Sequence, residues 1–377
     1  MKGKELRVGL IGHKFMGKAH SNAYRKIPMF FQPESRICLD TLCGIGEDLE
    51  ETARRYGFSR FCTDWRRVVE DPKIDIVDIC TPDNFHREIA VAAAGAGKHV
   101  VCEKPLALSY AEAREMTGAV TRAGVKNLCN FTYRGVPALM LARKIIKDGG
   151  IGRVLQLDMR YLQDFALSPD TPFGWRMDTV QAGPGIAGDK GAHVIDLARF
   201  LADEPVEVCG CSSLYVHERP VSGTSERKEV TTPDAVFFLI NFHKGAKGVF
   251  TVSNASAGRK NALLLEIYGD RGAIRFDLER INELEVYIEK KEDALNGFRT
   301  VNVTESFHPM MYAWWPSGHV LGWEHAFVHQ LYGFIRAIET DGRNESAFED
   351  GMLAQRVIDA VGKSIVENRW IRVDTIH

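Results

Sequence analysis

Three side chains carry chemistry by type and spacing. Lys104 lies in Lys98-His-Val-Val-Cys-Glu-Lys-Pro105, where an apolar run ends in an acid, a base and a proline. The run reads as a short buried parallel strand, and ligands of open α/β sheets bind outside the carboxyl ends of strands. Pro105 confines the Lys104 backbone to extended or turn shapes and makes a cis bond accessible. Asp189 and His193 are four residues apart, which stacks them on one helix face. Histidine, with a reference pKa near ~6.5, takes up a proton at neutral pH, and a lysine ammonium stabilises a developing alkoxide. An acid beside them orients a hydroxyl and holds their charge states. Together such groups suit removal of a proton from a bound hydroxyl. Taken singly, a Glu-Lys strand exit is ordinary solvated surface and a helical histidine is ordinary packing; the combination favours catalysis.

An alternating α/β unit is expected to position Lys104. Leu6–Ile11 reads as a strand, and Gly12-His13-Lys14-Phe15-Met16-Gly17 leads from it into a helix, the setting a dinucleotide loop requires. Gly12 makes the tight turn, Gly17 lets helix and strand approach, and the helix N-terminus faces a pyrophosphate. Lys14 stands where the middle glycine of G-x-G-x-x-G belongs and offers charge to the diphosphate or the substrate instead. Strands at 36–43, 75–80, 98–102 and 125–131 alternate with helices at 48–56, 65–70, 85–95 and 110–122, which means a parallel sheet with right-handed crossovers. Ser109 caps the last of these helices, with Glu112 as its box partner.

After residue 130 strands come in runs, at 154–162, 206–216, 235–243, 246–253, 263–268, 273–277 and 283–288, with hairpin turns at Lys244-Gly245 and Gly269–Gly272. The stretch 219–234 reads as an exposed loop, and helices at 325–338 and 352–367 close the chain. The expected organisation is an α/β Rossmann dinucleotide-binding domain over residues 1–130. An α+β substrate-binding and oligomerisation domain over 131–377 follows, with a large open, mostly antiparallel sheet and a C-terminal helix packing back on the first domain.

Composition narrows the partners. Of 377 residues 45% are hydrophobic and 26% charged, and Lys+Arg 48 against Asp+Glu 50 gives a net charge of −2. That balance leaves no electrostatic footprint for nucleic acid or an anionic membrane, so a small substrate of low charge is expected. No apolar run approaches the roughly 20 residues of a membrane helix. Met-Lys-Gly-Lys-Glu leads straight into a strand, without room for a signal peptide, which predicts a cytoplasmic protein. The eight cysteines include no Cys-x-x-Cys, as expected for reduced thiols. His325 and His329 are four apart without a third convergent ligand, so helix packing is expected and no metal. The second strand ends without the acid that takes ribose hydroxyls, and no arginine waits for a 2′-phosphate; NAD is favoured, with NADP left open.

With these residues in view, the chain resembles the Gfo/Idh/MocA oxidoreductases (the glucose–fructose oxidoreductase and inositol dehydrogenase family) over nearly its whole length. Gly9-Leu-Ile-Gly12 with Met16-Gly17-Lys18-Ala19-His20 is similar to the family's opening, and Thr81-Pro82-Asp83-Asn84-Phe85-His86 to its third-strand exit. Glu103-Lys104-Pro105 is similar to its diagnostic tripeptide, and Gly188-Asp189-Lys190-Gly191-Ala192-His193-Val194-Ile195-Asp196 to its catalytic D-x-G-x-H-x-x-D helix. The segments 161–164, 174–176 and 322–325 are similar to its sugar-dehydrogenase branch.

The resemblance implies an NAD-dependent dehydrogenase of a neutral sugar, anhydrosugar, glycoside or cyclitol, oxidising a ring hydroxyl at C3. Lys104, Asp189 and His193 are the expected catalytic residues. Cofactor contacts are expected from Gly12, Lys14, Phe15, Met16, Gly17, Thr81, Pro82, Asn84, His86, Glu103 and Lys104, with Glu103 on the nicotinamide half. Substrate contacts are expected from Lys104, Tyr133, Gln163, Trp175, Arg176, Asp189, His193 and His319; an aromatic face beside an amide or guanidinium suits a polyol ring. A homodimer or homotetramer through the open sheet is implied too. A non-catalytic dinucleotide or sugar sensor is the alternative from another class, although a sensor has no reason to keep all three catalytic groups. A cofactor-recycling isomerase or lyase is the other.

Overall fold

The computed structural model describes residues 4–290, 292 and 294–377, which form two compact units: 1–135 with 322–352, and 136–321 with 353–377. The first unit holds a six-stranded parallel sheet, β3-β2-β1-β4-β5-β6. Its strands are β1 Glu5–Ile11, β2 Arg36–Cys43, β3 Arg60–Cys62, β4 Ile76–Ile79, β5 His99–Cys102 and β6 Asn127–Cys129. Helices α1 Phe15–Phe30, α2 Leu49–Tyr56, α3 Arg66–Glu70, α4 His86–Gly95 and α5 Tyr110–Ala123 connect them. The strands are near-continuous apolar runs because both sheet faces are covered: Val8, Leu10, Ile76, Val77, Ile79, Val100 and Val101 have no exposed surface. Each such side chain contributes about 1.5–3 kcal/mol by leaving water. Ser109 caps α5 as expected, its hydroxyl accepting from the Glu112 amide at 3.3 Å.

Register sets the strand exits side by side. Ile11, Ile79, Cys102 and Cys129 are aligned across β1, β4, β5 and β6. The next residues are fixed by backbone bonds: Cys80 N–H donates to Ile11, Glu103 N–H to Ile79 and Asn130 N–H to Cys102, at 2.7, 3.0 and 2.8 Å. Gly12, Cys80, Glu103 and Asn130 therefore share one level at the carboxyl edge. The Lys104–Pro105 bond is cis.

Residues 322–352 return to this unit, beyond the expected boundary. The helix His325–Glu339 packs on α1 and on the short turn Thr132–Gly135, where a Cβ on Gly135 would lie 2.3 Å from the Ala326 carbonyl oxygen. Cys129 N–H donates to Ser346 at 2.9 Å, covering the β6 edge.

The second unit is built on a nine-stranded sheet in the order β16-β15-β14-β13-β7-β12-β11-β8-β17, antiparallel except where β12 meets β7. Its strands are β7 Val154–Leu162, β8 Pro205–Ser213, β11 Ala235–Phe242, β12 Lys247–Ser253, β13 Ala262–Gly269, β14 Gly272–Asp277, β15 Glu283–Ile288, β16 Arg299–Asn302 and β17 Ile371–Arg372; β9 Glu218–Pro220 and β10 Arg227–Glu229 form a separate hairpin. Residues 222–229 are exposed, as expected of a loop over 219–234, and the correction lies in this hairpin and in Arg219. Arg219 is fully buried and donates to the carbonyls of Ala166 and Ser168 at 2.6 and 2.8 Å, with Asp234 3.5 Å away. One face of the sheet keeps apolar side chains in the open, among them Phe237, Leu239 and Val249.

Candidate active site

Within the first unit the glycine loop behaves as its spacing requires. Gly12 has φ +104°, and a Cβ there would lie 2.4 Å from the Cys80 carbonyl oxygen. At Gly17 a Cβ would lie 1.9 Å from the Gly12 oxygen. Side chains are thus barred where loop, helix and β4 exit converge, leaving the bare backbone a pyrophosphate needs. Beside it the Thr81 hydroxyl is buried without a hydrogen-bond partner. Lys14 and Phe15 are exposed, Met16 partly so, and Phe15 stacks on Trp323 with ring centroids 5.5 Å apart. These residues fit a dinucleotide. Pro82 and Asn84 lie exposed at the β4 exit. His86, by contrast, is fully buried, its ring nitrogens 3.0 and 3.1 Å from the carbonyl oxygens of Pro105 and Thr81. It clips the β4 and β5 exits together, so direct cofactor contact gives way to support of both loops.

The missing acid of β2 has a steric cause. Gly44 follows β2, and a Cβ there would lie 2.2 Å from Nδ1 of the buried His13. Burial lowers the pKa of that histidine. The nearby acid comes instead from Asp48, 3.5 Å from both His13 Nε2 and Lys14 Nζ. A cation does stand near this strand end, already paired with a carboxylate.

Glu103 and Lys104 lie at the β5 exit, the acid buried and the lysine partly exposed. Glu103 belongs to a buried network that sequence reasoning missed. His20, on α1, meets both Asp78 oxygens through Nδ1 at 3.0 and 2.9 Å and Glu103 Oε1 through Nε2 at 2.9 Å. Asn130 Nδ2 donates to the same Glu103 oxygen at 2.6 Å. Burial opposes the imidazolium, but Asp78 and Cys80 outweigh it and hold His20 well above an ordinary histidine. Burial likewise opposes the Glu103 charge, yet His20, Lys104 and Asn130 keep its pKa below the usual range. His20, Asp78 and Cys80 place ligand-type atoms within 4.8 Å of one another, a grouping of metal-binding type, but both imidazole nitrogens already meet carboxylates. The overlooked signal was Asp78: an acid inside an apolar buried strand must have a partner.

Tyr133 and Arg134 are buried in the turn after β6; Arg134 donates to the Glu345 carbonyl and pairs with Asp350 at 3.1 Å, a packing role. His329 is also structural, 2.6 Å from the Gly135 carbonyl oxygen, and burial drops its pKa to about 4. His325 Nδ1 accepts from the Gly322 amide at 3.0 Å.

The second unit gathers Tyr161, Gln163, Trp175, Arg176, Asp189 and His193. Asp189 sits in a wide π turn, Ala187–Gly191, ahead of the helix Ala192–Leu201, so the regular stacking expected of positions 189 and 193 is altered by an extra residue per turn. Asp189 lies between two cations, Lys190 at 3.4 Å and Arg176 at 3.7 Å. Arg176 also covers the Trp175 ring at 4.3 Å, the aromatic–guanidinium pairing expected for a polyol. Lys190, buried and overlooked, also bonds Asn254 and lies 5.0 Å from the Phe165 ring. Tyr161 meets the His193 ring edge-on at 5.7 Å, and Tyr161 and Gln163 both donate to Asn261 Oδ1, at 2.8 and 2.7 Å. His319 is exposed, its Nδ1 2.8 Å from the Pro316 carbonyl oxygen of its own loop.

Residues 6–131 match the family described as "Oxidoreductase family, NAD-binding Rossmann fold", and residues 139–275 match "GFO/IDH/MocA C-terminal domain". The chain belongs to the GFO/IDH/MocA oxidoreductase family. Its similarity to a levoglucosan dehydrogenase of Pseudarthrobacter phenanthrenivorans is 38% identity, covering 99% of each chain. A solved levoglucosan dehydrogenase in complex with NADH and levoglucosan superposes with a TM-score of 0.95, covering 98% of this chain and 100% of that one at 38% identity. An oxidoreductase domain protein from Kribbella flavida gives the same TM-score at 44% identity, over 98% of this chain and 99% of that one. As a GFO/IDH/MocA member the chain is an NAD-dependent oxidoreductase, with the Rossmann unit and mostly antiparallel sheet its sequence predicted. No helix among the described residues is long and apolar enough to cross a membrane.

Proposed function

We propose that the protein oxidises a ring secondary hydroxyl, at C3, of a neutral sugar, anhydrosugar, glycoside or cyclitol to a ketone. Full-length similarity to an enzyme named for levoglucosan carries the reading. The bare backbone at Gly12 and Gly17, with Lys14, Phe15, Met16, Thr81, Pro82 and Asn84 around it, holds the dinucleotide, whose nicotinamide supplies the hydride acceptor.

The chain's own residues do the rest. Lys104 binds the substrate oxygen as an ammonium and offsets the charge that develops there. His193 Nε2 or Nδ1 takes the hydroxyl proton, the ring aligned by the edge of Tyr161. Asp189, its charge balanced by Lys190 and Arg176, orients the hydroxyl. Trp175 offers an apolar face to sugar C–H groups, while Gln163 and His319 serve as hydrogen-bonding partners for the other hydroxyls.

The test is a panel of levoglucosan, neutral hexoses, glycosides and inositols assayed for NADH formation by absorbance, with NADP+ in parallel. Turnover of at least one polyol with NAD+ is expected. Inactivity towards the whole panel with both cofactors refutes the reading.

A further inference from the structure

Two cysteines that the chemistry above leaves unused face each other where the parallel sheet meets the dinucleotide loop. Cys43 ends β2, Cys62 ends β3, and the two are direct partners in the strand register. Aligned residues of parallel strands point to the same face. The strands run about 4.8 Å apart, inside the roughly 4.4–6.8 Å between α-carbons that a disulfide spans. Both side chains are buried and both thiols are free. The carbonyls of the same two residues seat the loop: Cys43 accepts from the Gly12 N–H at 2.8 Å and Cys62 from the Gly44 N–H at 3.1 Å.

The two sulfurs are not equivalent. Their mutual hydrogen bond, helped by burial, raises the pKa of Cys43. The same bond lowers that of Cys62, against burial and with the Arg67 charge in support. The thiolate is the nucleophilic form of cysteine, so Cys62 is the reactive member. It is also the one nearer solvent. β3 is an edge strand of three residues paired to β2, with Arg60 and Phe61 exposed, and such short edges open locally at little cost.

We propose that Cys62 and Cys43 are a peroxide-oxidised pair, Cys62 attacking and Cys43 resolving, which spares the dinucleotide loop irreversible oxidation. The Cys62 thiolate attacks one oxygen of hydrogen peroxide; the S–O bond forms, the O–O bond breaks and hydroxide leaves, so the sulfur becomes a sulfenic acid. The Cys43 sulfur then attacks that of Cys62; the S–S bond forms, the S–O bond breaks, and the departing hydroxide takes the Cys43 proton as water. Two thiols and one peroxide give one disulfide and two waters. Without Cys43 beside it, a second peroxide would carry Cys62 on to a sulfinate, which thiols do not reduce. That buried charge would sit under the carbonyls that hold Gly12 and Gly44.

The test treats the full chain, its C43S variant and its C62S variant with hydrogen peroxide, then blocks remaining thiols with iodoacetamide. Peptide mass spectrometry and NADH binding by fluorescence are the readouts. The wild type is expected to lose two hydrogens in a linked Cys43–Cys62 peptide and to regain both with dithiothreitol. In C43S, Cys62 gains two oxygens that dithiothreitol does not remove. NADH affinity then falls about tenfold below that of wild type treated alike, the effect of one uncompensated buried charge. In C62S, Cys43 stays a thiol. Oxidation at the other cysteines is common to all three chains and cancels in the comparison. No Cys43–Cys62 link in the wild type, ready oxidation of Cys43 in C62S, or equal NADH binding by treated C43S and wild type overturns the proposal. If a variant does not fold, the presence or absence of the wild-type link decides.

Discussion

Replacing Lys104 by methionine is the perturbation that most directly examines the chemistry. Methionine keeps the unbranched stem and removes only the charge. Lys104 is partly exposed, so the effective dielectric is about 20 and not that of a dry interior; at about 4 Å a unit charge then stabilises the alkoxide by roughly 4 kcal/mol. That corresponds to a loss of about 10³ in kcat. The fold should scarcely notice, because Glu103 keeps its bonds from His20 and Asn130. The assay is steady-state NADH formation on the best sugar of the panel, with NADH affinity by fluorescence and melting temperature alongside. H193N tested alone and with K104M completes it: two groups acting on one hydroxyl lose far less together than the sum of their separate losses. A folded K104M enzyme within tenfold of wild-type kcat, or fully additive losses, refutes the assignment.

Three further outcomes follow from particular contacts. His329 is depressed to about 4 in the folded chain, so the unfolded chain binds its proton first as pH falls below the ordinary histidine value. Between pH 7 and pH 5 the wild type should therefore lose about 2 kcal/mol more stability in urea titrations than H329N, whose amide can still donate to Gly135. D48A frees Lys14 from its carboxylate, and the NAD+/NADP+ preference in kcat/KM should move towards NADP+ by about tenfold, the effect of about 1.4 kcal/mol; an unchanged ratio removes Asp48 from cofactor choice. If the open face of the large sheet joins subunits, a dimer or tetramer in light scattering should fall apart in the L239K/V249K double variant, and a surviving oligomer rules that face out.

The sequence made the long, patterned elements legible. β7 and β15 fall at the expected bounds because alternation over six or more residues leaves one register. β3, β16 and β17 were overlooked: two to four residues, most of them charged or exposed, carry no periodic signal. Arg219 sat in a polar stretch that looked like surface, and only the backbone carbonyls of a distant loop explain its burial. At the site, Lys104, Asp189 and His193 were found through motifs. His20 was quoted only as part of one, and its partners lie 58 and 83 residues away. Lys190 was hidden inside its motif as a variable position. Pairings over such separations leave no trace in local spacing.

The return of residues 322–352 makes the nucleotide-binding unit discontinuous in sequence. A fragment ending at Gly135 would contain every strand of the parallel sheet and still lack the piece that closes it. Ser346, which both accepts from the Cys129 amide and donates to its carbonyl, would be gone, leaving β6 as a bare edge open to another chain. Phe15 and His20 would lose Trp323 and Phe327 as well. Exchange of nucleotide-binding units between relatives must therefore move two separate stretches of gene at once.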